Sequence, residues 1–282
     1  MLDLDGGEHL DRCLESIAAQ SRPVARLVLW DNGSRVPVEE RLRGRVWPFE
    51  LEIARSAGNL GFTGGVNSAL RLCREPFVGL VNNDVVLDPR WIEALRPMFD
   101  AEPRLGGAQG VIVAPDGSVD GAGIDVSDGT IRQALHGSPL SELASAGEPW
   151  GVSATAALYR REALSDVAVS GAVLREDLFA YYEDVELSAR LRARGWTLAL
   201  CRERLAVHAG SATAHRLGGR RLYLQTRNRY LVARAWPGAG RVGALLKEDL
   251  VRIARCAVGL DPGSLATIAR GLVAGIVRPS TR

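Results

Sequence analysis

Through the first 110 residues, short apolar runs alternate with segments of helical spacing, and few architectures accommodate that rhythm. "EHLDRCLESIAAQ" sets Leu10, Cys13, Leu14 and Ile17 on one helical face, while "RLVLWDNGS" and "ELEIARSAGN" each read as a strand running into a turn. "GGVNSALRLCRE" is again helical. The strand "FVGLV" precedes the helix "PRWIEALRPMF", with Pro89 set for a first turn. Strands alternating with helices imply an α/β fold whose central sheet is mostly parallel and flanked by helices.

From 106 to 160 the pattern turns to short strands separated by Gly-, Ser- and Asp-rich turns, which predicts a small antiparallel subsheet, and 134 to 149 reads as a loop. "YYEDVELSARLRARGW" follows as a helix stopped by Gly195, and then comes the strand "TLALC". Beyond residue 216 the chain is helical and basic. We therefore divide it into a body, 1–215, and a C-terminal region, 216–282. That region holds thirteen Arg or Lys against Glu248, Asp249 and Asp261, although the whole chain carries only +2. A basic tail behind an acidic body suits an anionic partner. In "RVGALLKEDLVRIARCAV", Val242, Leu245, Leu246, Leu250, Ile253, Ala254 and Ala257 form a stripe. It serves either to pack the helix on the body or to lay it in a membrane interface.

Four cysteines with no C-x-x-C pair argue against a disulfide framework or a zinc site. No basic-then-apolar leader opens the chain, and no run reaches the about 18 uncharged apolar residues of a spanning helix.

In open α/β sheets ligands bind outside the carboxyl ends of the strands, so the polar clusters there matter most. Asp31-Asn32-Gly33-Ser34 reads as a turn or as a binding edge. In "NLGFTGGVNSAL", Asn59, Gly61, Gly64 and Gly65 open a helix containing Asn67, where glycines let phosphate approach backbone N–H groups. Asn82-Asn83-Asp84 puts one carboxylate among amides: either a solvated loop or a seat for Mg²⁺ or Mn²⁺, which keep positions free for phosphate and water. Glu183-Asp184 starts a helix, where an acid serves as a cap or as a general base. His208, in "VHAGSAT", is structural or a ligand.

Together, "WDNGS", "NLGFTGGVNSAL", "LVNNDVVLDPRWI", "FAYYEDVELSARLRARGW" and "VHAGSAT", in this order across residues 8 to 215, resemble the family-two glycosyltransferases of the GT-A fold, in particular a rhamnosyltransferase-like branch. The helical tail with "YLQTRNRYL" looks like the same branch. The resemblance implies an inverting, metal-dependent transferase that moves a sugar, rhamnose or another hexose, from a nucleotide-diphosphate donor to a lipid-linked glycan or cell-envelope polysaccharide. By it, Asp31 would meet the base or ribose, and the loop Asn59, Gly61, Asn67 would line the nucleotide and diphosphate. Asn82 and Asn83 would flank the donor, and Asp84 with His208 would hold Mg²⁺ or Mn²⁺. Asp184 would be the base, with Glu183 and Trp150 on the acceptor side; a core role for Trp150 stands beside that one.

The chemistry agrees: inversion needs one base for the acceptor hydroxyl and one cation for the departing diphosphate. The implied location is cytoplasmic, with the tail on anionic lipid at the inner face of the plasma membrane, and no nucleic acid is expected as partner. Four features depart from the family pattern. Only "MLDLD" stands where members carry an apolar first strand, so a longer natural chain or a degenerate protein is expected. Asn82 replaces an acid, and Trp30 and Glu186 are milder changes. A sugar nucleotidyltransferase and a nucleotide-sugar-binding module without turnover are the competing readings.

Overall fold

The computed structural model describes residues 1–210, 212–259 and 261–277, with the backbone alone at 212–218. In the first half, strands β1 (Leu2–Asp3), β2 (Arg26–Asp31) and β3 (Glu50–Arg55) alternate with helices α1 (Glu8–Ala18), α2 (Val38–Arg41) and α3 (Gly61–Leu70). Then follow β4 (Phe77–Val81), β5 (Val85–Leu87), α4 (Trp91–Ala101), β6 (Leu105–Val113), β7 (Val119–Gly121), β8 (Ile124–Asp125), β9 (Arg132–Gln133), β10 (Ala156–Arg160) and α5 (Arg161–Asp166). The chain continues through α6 (Glu183–Ala193), β11 (Thr197–His208), α7 (Ala212–Ala235), α8 (Val242–Val258) and α9 (Pro262–Val277).

The first three strands form a parallel sheet in the order β1–β2–β3. A second sheet runs β4–β10–β6–β11–β5, with β7 also on β6. It is mixed: β10 lies antiparallel between β4 and β6, and β11 runs parallel to β6 but antiparallel to β5. Strands β8 and β9 make a small antiparallel pair. The predicted loop at 134–149 contains a short 3₁₀ turn, Leu140–Ser145.

Apolar spacing explains the layering. Leu10, Cys13, Leu14 and Ile17 are all buried on the inner face of α1, where they join Val81, Val85, Trp91 and Leu95 in the main core. Burying each such aliphatic contributes about 1.5–3 kcal/mol, and Leu14→Ala would cost about 2–5 kcal/mol with its cavity. Strand β6, "LGGAQGVIV", is buried along its whole length, as the centre of the larger sheet requires.

Strand β1 is two residues long and marks the seam between the sheets. Leu2 faces Trp30 of β2 and forms a parallel bridge to Asn82, just past β4. Below it lies an apolar cavity of about 340 Å³ lined by Met1, Val28, Val66, Phe77 and Leu80, among others. The Met1 ammonium donates to the Val28 carbonyl at 2.8 Å, and burial holds its pKa below the usual value.

The boundary drawn at residue 216 falls inside α7. Its Tyr230 hydroxyl donates to Asp249 Oδ2 of α8 at 2.6 Å, and Arg229 pairs with the same carboxylate. Helix α9 packs closely on α7: a Cβ at Gly275 would lie 2.6 Å from the Arg227 carbonyl, so only glycine fits there. The α8 stripe divides. Leu245 is buried, whereas Leu250 is 66% exposed, and Ala254 and Ala257 are exposed with it. Among the described residues, no helix is long and apolar enough to cross a membrane.

Candidate functional site

Asn82, Asn83 and Asp84 form the turn between β4 and β5, closed by Val85 N–H donating to the Asn82 carbonyl at 3.3 Å. Strand register then brings a histidine to this turn. β11 pairs antiparallel with β5, His208 lies opposite Val85, and Ala209 N–H donates to the Asp84 carbonyl at 2.9 Å. His208 Nε2 therefore sits 3.3 Å from Asp84 Oδ1, and its Nδ1 sits 2.9 Å from Asp120 Oδ2. Burial would depress His208, but the bonds to Asp120 and Asp84 outweigh it and push its pKa up to about 9. Burial would raise Asp84, and the His208 imidazolium overrides that, holding the carboxyl below the usual range.

Asn83 is tied from behind, with its Nδ2 donating to Asp3 Oδ1 at 2.5 Å. Asn59 Oδ1 accepts from Asn32 Nδ2 at 3.0 Å and from Gly61 N–H at 2.8 Å. Gly61 has φ +77°, and a Cβ there would lie 2.6 Å from Phe179. This glycine serves a turn and a close approach at once.

The acidic pair follows a strained segment. Phe179, Tyr181 and Tyr182 have φ of 66°, 70° and 68°, which non-glycine residues rarely adopt. Tyr182 caps α6, whose first residues are Glu183 and Asp184. Asp184 Oδ1 accepts from Val185 N–H at 2.8 Å. Burial raises the Asp184 pKa, opposed by bonds from Val185, Ser153 and Ala154. Burial and the adjacent Asp184 push Glu183 up to about 8, and its buried Oε2 has no hydrogen-bond partner.

Asn59, Gly61, Asn82, Asn83, Asp84, Glu183, Asp184 and His208 all line one cavity of about 560 Å³. Three other candidates do not line it. Asp31 spends its carboxylate on Ser34 N–H (2.7 Å), Val38 N–H (3.2 Å) and the Arg55 guanidinium (2.6 Å), so it organises its own turn. Asn67, 1% exposed, donates to the Leu174 carbonyl at 2.8 Å and pins α3 to the 173–176 segment. Trp150, half-buried, packs beside Ile124, Val185 and Leu231 with the Arg192 guanidinium over its ring and does not line the cavity. Glu186 forms an ion pair with Arg190 within α6.

Sequence reasoning missed Asp120 and Ser153. Asp120 sits in β7 between two glycine-flanked turns, and Ser153 precedes β10; neither carries a local pattern, and only pairing across the sheet brings them in. Asp84 is a carboxylate kept ionised, and His208 Nε2, once a cation displaced its proton, would join it as a ligand while Asp120 orients the ring from the other side. Among the described residues no three His, Cys, Asp or Glu side chains enclose an ion, so two protein ligands would leave positions for phosphate oxygens and water.

Residues 6–168 match glycosyl transferase family 2, more than half of the chain. The chain belongs to glycosyl transferase family 2. Two relatives named N-acetylglucosaminyl-diphospho-decaprenol L-rhamnosyltransferase, from Mycobacterium tuberculosis strains CDC 1551 / Oshkosh and ATCC 25618 / H37Rv, are each 30% identical over 220 residues, 67% of this chain and 68% of theirs. Solved structures share the GT-A fold. The mannosyltransferase PcManGT from Pyrobaculum calidifontis, with GDP-Man and Mn2+, aligns at TM-score 0.59 and 17% identity, over 99% of this chain and 74% of that one. S. aureus TarS 1-349, with UDP-GlcNAc, aligns at TM-score 0.57 and 14% identity over 82% of this chain; the match spans 64% of the TarS chain. Asp184 and His208 lie beyond the residues matched to the family, so their assignment rests on the cavity.

Proposed function

We propose that this family-two chain is an inverting glycosyltransferase. It moves a sugar, rhamnose or another hexose, from a nucleotide-diphosphate donor to a hydroxyl of a lipid-linked glycan or cell-envelope polysaccharide. One observation carries the reading: the Asp84–His208 pair and the Glu183–Asp184 pair open into the same 560 Å³ cavity. The family supports transfer, relatives named for rhamnosyl transfer support the acceptor class, and fold neighbours solved with UDP-GlcNAc or GDP-Man support the donor class.

Asp184 takes the proton of the acceptor hydroxyl. Its raised pKa makes it a stronger proton acceptor than an ordinary carboxylate, while bonds from Ser153, Ala154 and Val185 fix its direction. Glu183, pushed up to about 8, keeps its proton at neutral pH and leaves Asp184 as the charged member of the pair. Asp84 and His208 would hold Mg²⁺ or Mn²⁺, which would supply positive charge beside the departing nucleoside diphosphate. Asn82 and Asn83 present amides beside it, and Asn59 with Gly61 shapes the donor edge.

On the outer faces of α8 and α9, Leu250, Val251, Val258, Val273 and Val277 are exposed alongside Lys247, Arg255 and Arg270, a mixture suited to an anionic membrane surface. Binding to vesicles of anionic lipid at low salt, lost at moderate salt, tests that contact; no binding at low salt would contradict it.

The experiment for the main reading incubates the protein and Mn2+ with nucleotide-diphosphate sugars and a polyprenyl-diphosphate glycan, following labelled sugar into lipid. Transfer with anomeric inversion from at least one donor is expected. Donor binding by calorimetry with no transfer to any such acceptor would overturn it in favour of a binding module.

A further inference from the structure

The segment that aims Glu183 and Asp184 is held in an unfavourable conformation from outside. Phe179, Tyr181 and Tyr182 each have φ between 66° and 70°, and such residues cost about 1–3 kcal/mol apiece unless their surroundings fix them. What fixes them is largely α7. Asn228, 0% exposed, donates its side-chain amide to the carbonyls of Leu178 (2.9 Å), Ala180 (2.8 Å) and Tyr181 (2.9 Å), three acceptors within four residues. Arg227 Nη2 donates to the carbonyls of Asp177 (2.8 Å) and Leu178 (3.0 Å). Its Nε donates to Asn228 Oδ1 at 2.8 Å, which settles which end of the Asn228 amide faces the segment. Above them on the same helix, the Arg220 guanidinium lies 4.1 Å over the Phe179 ring.

On the other side α3 completes the clamp, with Thr63 N–H donating to the Phe179 carbonyl at 3.2 Å. A turn with left-handed residues cannot join a sheet or helix ladder, so its carbonyls need partners from elsewhere. Asn228 shares its two amide N–H groups among three of them from one rigid side chain. Leu231 and Val232, one turn further along α7, pack against Leu178 and Val185 and hold the helix at that distance.

We propose that Asn228 and Arg227 are positioning residues for transfer, which set the direction of the Asp184 carboxylate by clamping residues 177–181. The Arg227–Asn228 pair of the C-terminal region thus belongs functionally to the catalytic body. Neither side chain lines the cavity. They act through the segment, so their removal should spare donor binding at the Asp84 side and slow the proton transfer at the Asp184 side. A small misorientation of a reacting group costs on the order of 10²-fold in rate. The inference rests on Asp184 being the base.

The experiment compares Asn228→Ala and Arg227→Gln with wild type and with the neighbouring control Thr226→Val, a buried position whose hydroxyl has no hydrogen-bond partner. Sugar transfer and donor–Mn2+ affinity are measured on each. The expected result for Asn228→Ala is a fall in kcat of about 10- to 100-fold with donor KM and Kd within about threefold, and an unchanged Thr226→Val. Should Asn228→Ala fail to fold, Asn228→Ser, which keeps one donor, is read the same way. A kcat equal to wild type, or a loss of rate matched by an equal loss of donor affinity, overturns the proposal. Asp184→Asn, measured alongside, separates the two failures: its retained activity would remove the base assignment itself.

Discussion

Two pairs of ionisable side chains line one cavity, and their carboxylates are shifted in opposite directions. At the end of β4, Asp84 has His208 against it and stays ionised below the usual range despite its burial. At the start of α6, burial raises both Glu183 and Asp184, and each carboxylate has the other as its neighbour. The carboxylates are chemically alike; what surrounds them separates the one kept charged from the two pushed toward protonation, and the proposed cation and proton roles rest on that contrast. An acid without a cationic partner, buried beside a second acid, is poised to take a proton from a substrate. An acid held ionised beside a histidine keeps the negative charge that the proposed divalent cation would need.

The comparison breaks most readily at Asp184. Asp184→Asn removes the proton acceptor without changing shape, so kcat should fall by about 10³-fold or more, read in the labelled-sugar assay. Asp84→Asn should come next, with a loss of about 10²- to 10³-fold and a donor affinity that no longer responds to Mn2+. A smaller effect, about 10- to 100-fold, is expected from Asp120→Asn, which releases the far nitrogen of His208 and weakens an orienting contact. That variant should raise the Mn2+ concentration needed for half-maximal rate.

The same comparison predicts two pH effects. Asp184 works deprotonated and its pKa is raised, so the acid limb of kcat should lie above the ordinary aspartate range, with rate rising as pH rises through it. Glu183 has the smallest expected effect, on stability alone. Its folded pKa of about 8 exceeds the unfolded value of 4.5, so the folded state holds the extra proton between those values. Its contribution is then fully present below pH 4.5 and is lost as pH rises toward 8. Glu183→Gln should remove this slope and raise Tm at pH 8 by a few degrees, whereas at pH 4 the two proteins should melt together.

Local patterns in the sequence revealed Asn82, Asn83 and Asp84, because a strand that stops on polar residues needs a reason, and Glu183 and Asp184, because two adjacent acids open a helix. The α1 face and the helices α4, α6 and α8 were legible for the same reason, as each repeats its apolar residues at helical spacing. Asp31 and Asn67 show the limit. Their position in a motif is visible in one dimension, but the atoms that consume their hydrogen bonds, on Arg55 and Leu174, are not. Asp120 was invisible because its tie to His208 spans 88 positions and passes through strand pairing. Asn228 was seen only as part of "YLQTRNRYL"; what it holds, the left-handed segment before α6, has no signature, since none of the three residues with positive φ is glycine. The two-residue β1 shows a further kind of limit: "MLDLD" reads as too short for a strand, yet its Leu2 and Asp3 pair with β2 and its Asp3 braces Asn83.

The most direct measurement is a calorimetric titration of a nucleotide-diphosphate sugar into wild type, Asp84→Asn and Asp184→Asn, each with and without Mn2+. Separate duties for the two acid pairs require that Asp184→Asn bind the donor as wild type does, with the same gain from Mn2+, and that Asp84→Asn lose that gain. If Asp184→Asn loses donor binding as well, or if Asp84→Asn keeps the full response to Mn2+, the division of labour between the two acid pairs is contradicted.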